Sequence, residues 1–213
     1  IAVQAGTSSK YSMGVYYDGV AVLGTAPVIT QTGSYTIGMV LNNSTGTTAG
    51  GISIGSSTEN NQVGIMAKGN SNLTVAGTVS ISGGDNNIGI YGENSQITVN
   101  NNITVAAPTS SDSLDPMKYS SVGVFMDKGL YAGTGNVSVG NNSIGIYGKN
   151  MTGGTISQSG TTMNVGSNGA GIYGEGNGNI NLSMGTITLS DKNSIGVYAK
   201  GLNSAVTGNM TIG

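Results

Sequence analysis

The chain has 213 residues, 38 of them glycine, with only 8% charged residues and a net charge of −2. Seven lysines and no arginine leave no concentrated basic face for nucleic-acid phosphates. The absence of cysteine excludes disulfides, thiolate chemistry and cysteine-bound metals, and no apolar run reaches the roughly 18 residues of a membrane helix. The chain begins without Met and stops in mid-pattern at Gly213, as expected for a piece of a longer mature protein whose targeting segments lie elsewhere.

Taken in chain order, one unit recurs: SMGVYYDG at 12–19, TIGMVLNN at 36–43, QVGIMAKG at 62–69, NIGIYGEN at 87–94, SVGVFMDK at 121–128, SIGIYGKN at 143–150, GAGIYGEG at 169–176 and SIGVYAKG at 194–201. The central glycines, Gly14, Gly38, Gly64, Gly89, Gly123, Gly145, Gly171 and Gly196, are spaced by 24, 26, 25, 34, 22, 26 and 25 residues. That period, sustained from end to end, predicts a single repeating body over 1–213.

So polar a composition would leave the chain disordered if its apolar residues were scattered. They instead follow each unit as alternating pairs, such as Leu73/Val75 and Val79/Ile81, Ile97/Val99 and Ile103/Val105, Ile180/Leu182 and Ile187/Leu189. Period-2 alternation is the mark of strands. The predicted fold is all-β: a right-handed parallel β-helix (β-solenoid) of about eight rungs of ~25 residues, with three short strands per rung. The second and fifth rungs fit least well. NNSTGTTAGG after Leu41 lacks a clear second strand, and after Lys128 only Leu130 and Tyr131 offer one. The 34-residue interval holds APTSSDSLDPMKY at 107–119 with two of the three prolines, which predicts an inserted loop projecting from the stack.

Aligned on the glycine, the rungs form columns. The apolar residues on either side of it, Ile144 and Ile146 and their equivalents, are expected to point inward and the glycine outward. The fifth residue after it is Gly or Asn in seven of eight units, a turn that needs positive φ. Three residues before it stand Asn61, Asn86, Asn142, Asn168 and Asn193, which predict an amide ladder. Four residues after it come Asp18, Lys68, Glu93, Asp127, Lys149, Glu175 and Lys200, whose alternating signs would penalise a slip of one rung. Two residues after it the column is aromatic in six units, and Tyr147, Tyr173 and Tyr198 predict an outward stripe beside the glycines. Such a stripe can stack on sugars or meet a partner's cation, or it can shield exposed sheet by lying over glycine.

In the loop, Asp112, Leu114, Asp115 and Lys118 are candidates for a partner contact, although two acids three apart fall short of a calcium-loop signature. No catalytic residue, cofactor or metal site is predicted. The usual general base, thiol and anion clamp are missing, and no further acid converges on Glu93 and Asp127.

The repeated xIGIYGxN unit, with its variants NNSIGIYGKN and NNIGIYGEN, the Gly/Asn/Ser/Thr richness and the lack of Cys together resemble the passenger domains of very large fusobacterial-type autotransporters, the RadD-like adhesins. The resemblance spans essentially all of the chain. It implies a type V secretion passenger: an extracellular β-helical stalk on the outer membrane of a Gram-negative bacterium, anchored by an outer-membrane β-barrel of the same parent chain. It further implies a non-enzymatic adhesin whose loops meet a protein or glycan receptor on host cells or other bacteria. No binding residues carry over, because the matching positions are framework positions. Two alternatives stay open: a carbohydrate-active β-helix enzyme, which would need three or more converging carboxylates in a cleft, and a purely structural surface fibre or surface-layer component.

Overall fold

The computed structural model describes residues 2–4, 12–21, 29–48, 50–115, 117–190 and 193–212. They form one parallel 19-stranded system without helix, a parallel β-helix as the repeat predicts. Three stacks of strands run along it. The first carries the repeated unit: β2 (Ser12–Asp18), β4 (Thr36–Asn42), β7 (Val63–Lys68), the first halves of β10 (Ile88–Val99) and β12 (Val122–Gly133), β14 (Ile144–Lys149), β16 (Ala170–Glu175) and β18 (Ile195–Lys200). The second holds β5 (Thr45–Thr48), β8 (Asn72–Val75), the second halves of β10 and β12, and the first halves of β15 (Thr155–Val165), β17 (Asn179–Leu189) and β19 (Asn203–Ile212). The third holds β1 (Ala2–Gln4), β3 (Ile29–Thr32), β6 (Ile52–Ile54), β9 (Val79–Ile81), β11 (Ile103–Val105), β13 (Val137–Val139) and the ends of β15, β17 and β19. Eight unit strands against seven in the second stack make about seven complete turns, one fewer than the count of units.

The alternating pairs point inward as expected. Leu73, Val75, Val79, Ile97, Val99, Ile103, Ile180 and Ile187 are at most 1% exposed and belong to one continuous core. Each strand lies in register on the equivalent of the next turn, for example Ile97 on Leu73 and on Tyr131. Like therefore packs on like, and each rung is stabilised by its two neighbours. The weak second rung nevertheless has its strand. In β5, Gly46 and Thr48 face inward, and the Thr48 hydroxyl donates to the Gly50 carbonyl at 2.9 Å, so a polar residue fills a core position with its hydrogen bond made. In the fifth rung the second strand runs on through Gly133, burying Tyr131.

The unit itself departs from simple alternation. Residues after the glycine (Met39, Ile65, Ile90, Val124, Ile146, Ile172) are core, but those before it are not. Met13 and Ile195 are exposed, Ile88 is half-buried, and Val122, Ile144 and Ala170 form a separate outer cluster with Phe125, Tyr147, Tyr173 and Met117. The glycine faces the core. A Cβ on Gly89 would sit 2.5 Å from both Val79 Cγ1 and the Gly123 carbonyl oxygen, and the same collision with the next glycine's carbonyl recurs from Gly38 to Gly171. The cause is local: pairing runs Ile88 to Val122 and Ile90 to Val124, skipping the glycine, so two consecutive positions turn inward and the alternation restarts.

The turns follow the expected chemistry. All eight positions five after the glycine have positive φ, including Lys128 at 65°. The Asn column is left-handed as well: Asn61, Asn86, Asn142, Asn168 and Asn193 have φ between 53° and 59°, a conformation Asn tolerates better than other side-chain-bearing residues. Between Asn142, Asn168 and Asn193 the amides also bond in series at 3.1 Å. Asn61 and Asn86 grip the next rung through their backbone N–H groups, to Asp85 and Tyr119 carbonyls.

Candidate functional site

The side chain two residues after the glycine faces outward, and the stacking carries five rings along the rod. Tyr91 and Phe125 stack with centroids 5.3 Å apart at 12°, and Tyr173 and Tyr198 with centroids 4.5 Å apart at 15°. Tyr147 stands crosswise between the pairs, 4.9 Å from Phe125 at 73° and 5.1 Å from Tyr173 at 88°. The predicted stripe of Tyr147, Tyr173 and Tyr198 is thus present and two rings longer. Its neighbours are not glycines, because the glycines face the core. The rings cover the aliphatic cluster of Val122, Ile144 and Ala170. Within each stacked pair the rings cover one another's faces, where a sugar would have to stack.

The Tyr147 hydroxyl donates to Glu175 Oε1 at 3.3 Å. Burial first, then the Glu175 carboxylate, pushes its pKa up to about 12. Tyr91 is raised by burial and by Glu93 and Asp127, and Tyr173 by burial and by Tyr198 and Glu175. All three therefore stay neutral donors at physiological pH.

The charged column stands at the corner that follows. Asp127 pairs in register with Lys149, and Glu175 with Lys200, yet neither closes into an ion pair. Asp127 instead accepts the Asn150 amide at 3.0 Å. Glu93 lies in register with Asp127, placing like charges on adjacent rungs. Among the described residues no group of three or more acids, histidines or cysteines could hold a metal ion.

The insertion is an ordered loop, with no strand among the described residues of 106–121; Pro116 lies outside them. Its interior is clasped by Asp112, which accepts the Leu114 and Asp115 N–H groups and binds the Lys118 ammonium at 2.9 Å. That contact holds the Asp112 carboxyl below its ordinary range and raises Lys118. The Asp115 carboxylate accepts the Met117 N–H at 3.2 Å, and Lys118 lies over the Tyr119 ring at 5.3 Å. The base is pinned to the rod: Asp85, 7% exposed, accepts the Ser110 N–H at 2.9 Å and also its hydroxyl, Gly84 N–H donates to Thr109, and Met117 joins the outer cluster. Leu114 is left 95% exposed at the tip. The four predicted loop residues thus come together. Their anchors, Asp85, Thr109, Ser110 and Met117, carried no pattern of their own in the sequence.

A second surface escaped the sequence reading. On the outer side of the second stack a depression of about 380 Å³ runs past Ala132, Ser157, Asn181 and Ala205, and another of about 290 Å³ past Gln96 and Thr98 adjoins it at Ala132 and Ser157. Compared with family models, with curated proteins and with solved structures, the chain matches none of them.

Proposed function

We propose that this chain is a stalk segment of a bacterial cell-surface adhesin, a non-enzymatic passenger of the RadD-like autotransporter kind, held at the outer membrane by a β-barrel of its parent chain. The solenoid supplies length, since each added rung is stabilised by its neighbours and needs no new core. The loop at 107–119 is the contact element, and its receptor is a surface protein or glycan on host cells or other bacteria.

The observation that carries this reading is the loop itself: the one large insertion is clasped, pinned at its base, and presents Leu114 to solvent. A flexible surface insertion would need no such internal hydrogen bonds. A preorganised one lowers the ordering cost of binding. Burying a fully exposed leucine on a partner is worth ~1.5–3 kcal/mol, enough for about one to two decades of affinity.

The test is binding of the purified segment, labelled and applied to epithelial cells and to partner bacteria. The native segment is expected to bind, with Leu114→Ser weaker by about tenfold or more and Asp112→Ala weakened through loss of the clasp. A folded segment that binds neither surface, or a Leu114→Ser variant that binds as well as the native one, overturns the proposal.

A further inference from the structure

The geometry points to the second face of the rod as a binding trough for an extended, uncharged, β-linked glycan chain lying along the rod axis. This site is separate from the loop. Every outward side chain of the second stack, from Thr45 and Thr47 through Thr155 and Ser157 to Asn203 and Ala205, is uncharged. The charged column stops at the corner before this face. A polyanion would find no cation here and a polycation no carboxylate, so the charge pattern selects a neutral partner.

The shape comes from a reduction in side-chain size. In the fifth rung the outward residues are the exposed Leu130, beside the corner, and then Ala132, flanked along the axis by Thr98 and Ser157, with which it is in register. The following Gly133 has no side chain, because a Cβ there would run into the Gln158 carboxamide and the Tyr131 hydroxyl. Those two groups form a buried pair directly beneath the floor. Tyr131 donates to Gln158 Oε1 at 2.7 Å, and the Gln158 amide donates to the Gly135 carbonyl at 2.7 Å. Elsewhere between Leu73 and Leu182 the inward positions of this stack are aliphatic or glycine. The polar pair therefore occurs where the floor is barest and holds it rigid.

The result is an apolar floor with hydroxyls and carboxamides along it, the usual make-up of a ligand site. Ser157 and Asn181 lie one strand spacing apart, ~4.8 Å, and Thr98 lies two spacings from Ser157 across Ala132. An extended β-linked hexose chain advances by about one strand spacing per sugar, so one sugar falls on each rung, with polar side chains to meet it at Thr98, Ser157 and Asn181. The two adjoining depressions cross five strands, from Gln96 to Ala205, about 19 Å at that spacing and room for about four sugars. A peptide gains no such match, because this is a side-chain face with its backbone groups already paired.

Isothermal titration calorimetry with cellohexaose tests the proposal, with maltohexaose as a curled neutral control and a galacturonic acid hexamer as an extended charged one. Cellohexaose is expected to bind with a dissociation constant of about 1 mM or tighter, and each control at least about tenfold more weakly. Ala132→Arg fills the floor, and Asn181→Arg obstructs it two rungs on; each is expected to weaken binding about tenfold or more while circular dichroism shows the fold intact. Leu114→Ser should bind the sugar normally, which separates this site from the loop. The proposal is overturned if the folded native segment gives no heat with cellohexaose, if both Arg variants bind as well as it does, or if the acidic hexamer binds equally. It is overturned too if sedimentation shows the native rods pairing through this face and the Arg variants only abolish that pairing.

Discussion

Replacing Gly145 by Ala tests which way the unit glycines face. An outward glycine would accept the methyl group freely, and alanine would then stabilise the strand by ~0.5–1 kcal/mol through the unfolded chain. In the structure the new Cβ would lie 2.7 Å from the Gly171 carbonyl oxygen, 2.7 Å from Val137 Cγ1 and 3.0 Å from Val139 Cγ2. The valine methyls can give a little, but the carbonyl belongs to the next rung and moves only if the rungs part. Overpacking of this kind costs up to ~3 kcal/mol, so the net loss is about 2 kcal/mol after the strand gain is set against it. Urea unfolding measures it, with hydrogen exchange at Ile144–Lys149 and Ala170–Glu175 because repeat arrays can unfold in parts. Gly153→Asn is the control: that glycine has φ +67° and nothing within 4 Å of an added Cβ, so the midpoint should move by less than ~0.5 kcal/mol. A Gly145→Ala variant as stable as the native chain, or more so, would refute the inward assignment.

Gln158→Leu leaves the buried Tyr131 hydroxyl without its acceptor, which should cost ~1–3 kcal/mol in urea unfolding, and Tyr131→Phe combined with Gln158→Met should recover most of it. Asn168→Ala removes both amide bonds of its ladder and forces a left-handed backbone on alanine at φ 54°, for a loss of about 2 kcal/mol; Asn168→Gly keeps the backbone conformation and should lose less, as thermal melts would show. Tyr147 has its pKa raised to about 12, so it favours the folded state fully below pH 10, and that contribution is lost as pH rises through 12. Phenolate absorbance of the native chain should include a step near pH 12 that Tyr147→Phe removes and that moves to lower pH in urea, while the fully buried Tyr131 titrates later still and keeps its own step in the variant.

The architecture was legible because inward aliphatic pairs such as Ile97/Val99 and Ile103/Val105 carry the strand period directly, and the 25-residue recurrence fixes how often the chain returns. The side of the glycine was not legible. Alternation assumes that every residue takes its place in the ladder, and here the pairing passes over the glycine. Ile144 and Ile146 look equivalent in the sequence, yet one lies under the outer rings and the other in the core. The strand Thr45–Thr48 was hidden for a different reason: it brings no large apolar residue, and its place is set by Leu73 and Val75 on the next rung. The Asn column suggested an amide ladder, whereas all five share a left-handed turn and only three join amides in series. Length and proline showed that 107–119 must project, but the clasp of Asp112 on Lys118 depends on how the loop folds back.

The same stacking that aligns the core also aligns whatever faces outward, so each face of the rod becomes a one-dimensional array with a single chemistry. The first face carries rings and, at its corner, charges; the second carries only uncharged residues, mostly Ser, Thr, Asn and Gln, with Leu130 and two alanines among them. The two differ in what substitution costs. A ring removed from the first face uncovers Val122, Ile144 and Ala170, so that face is tied to stability. An outward Ser, Thr or Asn on the second face is exposed or half-buried, and exchanging it shifts stability by about 0.5 kcal/mol or less. A rod of this kind can therefore exchange the side chains of its second face, or of its loop, without disturbing the column of glycines and aliphatic residues that holds the rungs together.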